Sequence, residues 1–157
     1  MKKTITFLIA WILAFTMVAM PVSASEYVDN NEDTYVDSSV RAGSSYFTKG
    51  IPTMNALNYG SSAYKTVTSG SCLGTTRSIT KVTFYGVLSS GSSPCIVYII
   101  SPTGTVASQV MYSTGTLTFY DFNGEDPYGP WTVYIVTLGS VSTVKSGSLK
   151  VYYNYNP

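Results

Sequence analysis

The chain has 157 residues, with 9 basic and 8 acidic side chains and only 11% charged residues in all. That length fits one domain, and the near-balance of charge supplies no basic excess with which to hold nucleic acid or an anionic membrane. There is no histidine, which removes Ser-His-Asp and Cys-His catalysis and any histidine-bearing zinc site, and two cysteines cannot build a four-thiolate one.

Residues 1–24 predict a secretory signal peptide. Met1-Lys2-Lys3 leads into an apolar run from Phe7 to Val18, broken at Pro21 and closed by Val22-Ser23-Ala24 with small or apolar residues at −3 and −1. The run is almost long enough to span a bilayer, but the cleavage pattern favours removal after Ala24 and an extracellular product with no membrane attachment. Loss of Lys2 and Lys3 leaves seven bases against eight acids, a charge of −1. Residues 25–44 read as an acidic, flexible arm, because Glu26, Asp29, Glu32, Asp33 and Asp37 all precede the first base, Arg41.

Residues 45–157 read as one β domain. A first strand is expected near Ser45 to Thr48, followed by a connection through Ile51-Pro52-Thr53-Met54-Asn55 that covers one end of the core. Tyr64 to Thr68 alternates between Ser- and Gly-containing borders, and Ile79 to Leu88 alternates more clearly, with Val82, Phe84 and Leu88 on one face. Cys95 to Ile100 is apolar on both faces, which predicts a central strand covered on both sides. Val106 to Tyr112, Thr116 to Phe122, Trp131 to Leu138 and Ser148 to Tyr153 complete about eight strands. With no helical period and turn residues between the runs, the fold class is all-β, an antiparallel sandwich or barrel.

Cys72 and Cys95 are an even pair in an exported chain, hence a disulfide candidate, with two separate buried thiols as the alternative. Closing the loop between them would be worth on the order of 3 kcal/mol.

Several segments in order carry a resemblance. Val82-Thr83-Phe84, then Ile96 to Ser101 running into Pro102-Thr103-Gly104-Thr105, then Gly124-Glu125 and Gly129-Pro130-Trp131-Thr132-Val133, and finally Ser146-Gly147-Ser148-Leu149-Lys150-Val151 resemble the P domain (P/Homo B domain) of kexin-like and furin-like proprotein convertases. The similarity covers roughly Lys81 to Tyr153. It implies a jelly-roll-like β-sandwich in which Gly129 and Gly147 are structural, a role in stabilising and regulating a subtilisin-type protease, and calcium as a frequent companion. The chain departs from the family in having no protease domain ahead of this module, and in ending on Val151-Tyr152-Tyr153 where the family usually carries a Trp.

Asp121-Phe122-Asn123-Gly124-Glu125-Asp126 admits two readings. Asp121, Asn123, Glu125 and Asp126 are hard oxygen donors of the type Ca²⁺ selects, while the plainer alternative is a hydrophilic turn with Gly124 at its positive-φ position. Trp131 opens a strand and is expected in the core. Tyr152, Tyr153 and Tyr155 cannot all face inward along an alternating strand, so they are candidate binding residues, with the outer face of an edge strand as the alternative. No residue set predicts catalysis. The expectation is a secreted, non-catalytic binding or accessory module whose partner is an extracellular protein, or else a glycan held by tyrosine, or a secreted subtilisin-like protease that it assists or inhibits.

Overall fold

A computed structural model describes residues 41–157, so the expected signal peptide and almost all of the acidic arm lie outside the described residues. Nine strands follow one another: β1 (Gly43–Ile51), β2 (Met54–Leu57), β3 (Lys65–Thr68), β4 (Thr76–Leu88), β5 (Cys95–Ile100), β6 (Val106–Met111), β7 (Gly115–Phe119), β8 (Pro130–Thr137) and β9 (Val141–Asn156). One sheet has the order β1-β9-β4-β7, with β2 also paired to β9, and the other has the order β3-β8-β5-β6. All pairings are antiparallel. Setting the short β2 aside, first strand pairs with last and each sheet takes strands from both halves of the chain, in the orders of the double Greek key of a jelly roll. The all-β sandwich expected from the sequence is therefore the fold.

The sheets face each other through period-two alternation. Val82, Phe84, Leu149 and Val151 point inward from the first sheet, and Val97, Ile99, Trp131, Val133 and Ile135 answer from the second, all fully buried. Gly147 is required by a close approach, since a Cβ there would lie 2.8 Å from the Phe84 ring and 3.1 Å from Ile51 Cβ.

Four expectations need correction. Residues 51–55 are more than a connection: β2 pairs Met54 with Val144 and Leu57 with Val141, and buries Met54 and Ala56. The last strand is sixteen residues long rather than six, because Val141 to Val144 first serves β2 before the chain continues between β1 and β4. β7 ends at Phe119, and Phe122 is buried from the loop beyond it. β5 is central in its sheet, but only its inner face is covered, while Ile96, Tyr98 and Ile100 on the outer face are half-buried.

The disulfide expectation is also overturned, as both cysteines are free. Cys95 opens β5 at one end of the sandwich. Cys72 lies two residues before Gly74, whose carbonyl accepts from Arg77 Nη1 at 2.8 Å, and Arg77's partner Asp126 belongs to the loop packed on the far end of β5. A six-residue strand is roughly 17 Å long, whereas a bridge needs Cα atoms within about 7 Å.

Candidate functional site

At the Ser101 end of the sandwich two turns interlock. Ser101 to Thr105 is closed by Ser101 N–H donating to Thr105 O at 2.9 Å and Gly104 N–H to Ser101 O at 3.0 Å. The segment after β7 is zipped onto β4, with Gly124 N–H donating to Ile79 O and Ile79 N–H to Glu125 O, each at 2.9 Å. Thr103 Oγ1 then donates to Glu125 Oε2 at 2.6 Å and shares a 2.8 Å bond with Ser101 Oγ. Burial pushes the Glu125 carboxyl up, but hydrogen bonds from Ser101, Thr103 and Thr105 outweigh it and hold the group below its ordinary value.

Asp126 turns the other way. Arg77 grips it through Nε at 2.9 Å and Nη2 at 3.1 Å, and Tyr128 N–H adds a bond at 3.0 Å. The Arg77 bond holds the Asp126 carboxyl below its ordinary value. Gly129 has φ 130° and its Cβ would sit 2.9 Å from Pro102 Cβ, so the two turns approach too closely for a side chain there. Behind them Trp131 is fully buried and donates Nε1–H to Pro127 O at 3.0 Å, as a core Trp must find a partner.

As arranged, the four oxygen donors singled out for calcium do not form a cage. Glu125 and Asp126 are engaged with different partners, Asp121 and Asn123 are exposed, and Gly124 takes φ 91° in a hydrogen-bonded turn. No three acidic or cysteine side chains converge among the described residues, whereas Ca²⁺ takes 6–8 oxygens.

The three C-terminal tyrosines separate. Tyr153 is a core residue, 3% exposed, whose hydroxyl accepts Leu73 N–H at 3.1 Å, so it is withdrawn as a binding residue. Tyr155 shares its inward parity and packs beside it at 6.3 Å between ring centroids, against Gly43 and Gly74. Only Tyr152 stands on the outer face, 5.8 Å from Tyr46 across β1–β9.

A surface that sequence reasoning missed lies on the outer face of β3-β8-β5-β6. Tyr134 on β8 pairs with Tyr98 on β5, and their rings are stacked at 4.8 Å and 4°. Tyr64, just before β3, meets Tyr134 edge-on at 4.6 Å. Burial pushes the Tyr134 phenol up, helped by Tyr64 and Tyr98. On the strands beside it the outward positions are Thr66, Thr132, Val136, Ile96, Ile100, Val106, Ser108 and Val110, and none is charged. The signal was present as one Tyr, Tyr98 or Tyr134, within each of two apolar runs. Pairing those runs requires the β5–β8 register, which joins segments more than thirty residues apart.

No protein-family model and no curated protein matches this chain. Among solved structures, FlhE is similar with a TM-score of 0.50 at 16% identity, over 74% of this chain and 100% of that one. A serine protease of Aeromonas sobria, solved alone and in complex with the chaperone ORF2, is similar with a TM-score of 0.44 at 13% identity, over 67% of this chain and 27% of the protease. At these identities the FlhE likeness speaks to the fold alone, and the protease likeness carries no argument.

Proposed function

We propose that this chain is a secreted, non-catalytic binding module of convertase P-domain type, which docks a secreted subtilisin-like protease through the outer face of β3-β8-β5-β6. The observation that carries the reading is the charge-free row Tyr64–Tyr134–Tyr98 flanked by Ile, Val and Thr. Interface cores are depleted in charge and enriched in aromatic residues. Tyrosine supplies broad contact at low rotamer cost, and rings already stacked on one another lose little further freedom on docking. The P-domain part of the reading draws further support from the way its motif residues pack: Ser101, Thr103, Glu125, Gly129 and Trp131, distant in sequence, build a single junction.

The test is capture from the native culture medium with the immobilised chain, followed by identification of bound proteins and an assay of released protease activity. A subtilisin-like protease recovered by the natural chain and lost with Tyr134→Lys, but retained with Tyr112→Lys, is the expected result. Tyr112 is 75% exposed and follows β6, so its change alters charge without touching the row. Equal recovery by both variants removes this face from the reading, and recovery of no protease by the natural chain removes the partner class.

A further inference from the structure

The opposite face of the sandwich has a different chemistry. On the outer face of β1-β9-β4-β7 the register places Tyr46 opposite Tyr152 and Tyr152 opposite Lys81, and in the next row Thr48 opposite Lys150 and Lys150 opposite Thr83. Lys150 Nζ lies over both tyrosines, 3.7 Å from the Tyr46 ring centroid and 4.7 Å from that of Tyr152. Lys81 Nζ lies 4.5 Å from the same Tyr152 ring. Two ammonium groups therefore share one ring and stand within about a Debye length of each other.

Among the described residues these cations are held by ring faces and not by carboxylates. The three acids among the described residues, Asp121, Glu125 and Asp126, all lie in the loop between β7 and β8, and Arg77–Asp126 is the one ion pair there. The cation–π contacts orient the ammonium groups but leave their charge unneutralised. An anion placed between them would relieve their mutual repulsion and gain charge-assisted hydrogen bonds. Around the pair the outward residues are chiefly short hydroxyl and amide groups, Thr48, Thr83, Thr118 and the bonded Ser44–Asn154 pair, with the exposed Tyr85 ring in the row beyond Thr83.

We infer that this face binds an acidic polysaccharide, a carbohydrate chain bearing carboxylate or sulfate groups, with Lys81 and Lys150 on the acid group and the threonine and asparagine side chains on sugar hydroxyls. A sheet face about four strands wide is open and long, which suits an extended polymer rather than a small molecule that needs an enclosing cleft. Single-stranded nucleic acid fits less well, because it is held by stacking bases on free aromatic faces, and here ammonium groups cap the rings of Tyr46 and Tyr152. The inference does not rest on the protease-docking reading, which concerns the other sheet.

The experiment is calorimetric titration of the purified chain with polygalacturonate, heparin, neutral dextran and oligo-dT at low and high salt. Binding to at least one acidic polysaccharide, weakened by salt and absent for dextran, is expected. Lys81→Gln with Lys150→Gln should weaken it on the order of tenfold or more, Lys150→Arg should retain it, and Lys145→Gln, an exposed lysine in β9 away from the pair, should leave it intact. Unchanged melting temperatures make these losses a matter of the site. Tyr134→Lys should leave polysaccharide binding unchanged, so failure here and failure of the protease reading are separately visible. No binding to either acidic polymer, an equal loss with Lys145→Gln, or tighter binding to oligo-dT would each overturn the inference.

Discussion

Removing the Phe122 ring tests whether the loop after β7 is part of the core. Phe122 is 0% exposed and meets Trp131 edge-on at 5.4 Å and 77°, with Phe119 at 6.4 Å. Truncation of a buried Phe costs about 3–5 kcal/mol, because the transfer loss is joined by a cavity the neighbours only partly fill. About 1 kcal/mol of that belongs to the edge-to-face contact. For a domain of this size each kcal/mol moves the melting temperature by about 4 °C, so Phe122→Ala should lower it by roughly 12–20 °C. Tyr120→Ala, two residues earlier at a ring 61% exposed, should stay within about 0.5 kcal/mol of the natural chain. Scanning calorimetry measures both, and near-ultraviolet circular dichroism should report a changed environment for Trp131 in the first variant only. A loss below about 1 kcal/mol for Phe122→Ala would refute the reasoning, because the ring could not then be pinning the loop that carries Glu125 and Asp126.

In the native protein a thiol reagent should label Cys72 and spare Cys95, whose thiol burial pushes up to about 11, and intact mass should show two free thiols; a bridged species would sink the placement of the cysteines at opposite ends. Asp126 and Glu125 have folded-state pKa values below their unfolded ones, so the stability they contribute is complete above the ordinary carboxylate range and is lost as pH falls through the folded values. The melting temperature should therefore be flat down to about pH 5 and decline below it, with a shallower decline in Asp126→Asn; an unchanged slope in that variant would show the Arg77 pair to be idle. Gly147→Ala should cost about 1–3 kcal/mol by forcing a Cβ against Phe84, and a neutral result in urea unfolding would contradict that close approach. Asn58 and Tyr59 both take positive φ (52° and 59°) in a turn closed by Gly60 N–H to Leu57 O, so Tyr59→Gly should gain about 0.5–1 kcal/mol; a loss there would mean that the exposed ring makes contacts of its own.

The elements that were legible in the sequence are those in which local pattern and tertiary pairing agree. Lys65–Thr68, Cys95–Ile100 and Pro130–Thr137 alternate or run apolar, are bounded by Gly, Ser or Pro, and form where that pattern places them. The hidden ones depend on a distant partner. Met54 to Leu57 is too short to show a period and follows Pro52, and only pairing with Val141 to Val144 makes it a strand. That stretch of β9 is in turn Ser- and Thr-rich, because Ser142 is inward yet satisfied, donating to Ser93 O at 2.7 Å and reaching Thr137 Oγ1 at 2.7 Å. Composition alone cannot reveal a buried polar residue whose partners lie elsewhere. The same limit applied to the site: alternation puts Tyr152 and Lys150 on one outer face of the last strand, but Lys81 and Tyr46 join them only through register.

The placement of the carboxylates ties these features together. Glu125 and Asp126 bind Thr103 and Arg77 at the end of the sandwich, so they act as fasteners between turns, and among the described residues both broad faces are free of negative charge. One face then differs from the other only in its outward positions: Lys81 and Lys150 among hydroxyls on the first sheet, Tyr, Ile and Val without charge on the second. Outward residues contribute little to the core, since period-two alternation assigns the inner face its own set, and surface changes away from special contacts stay within about 0.5 kcal/mol. A carboxylate introduced on either face should therefore alter recognition without unfolding the chain. Thr83→Glu would offer Lys150 an internal partner and compete with an acidic polymer, whereas Ser108→Glu, beside Tyr98, would bring a charge into an uncharged docking face. If the two substitutions had the same effect on the same ligand, the faces would not be distinct sites; opposite selectivity is what their chemistry requires.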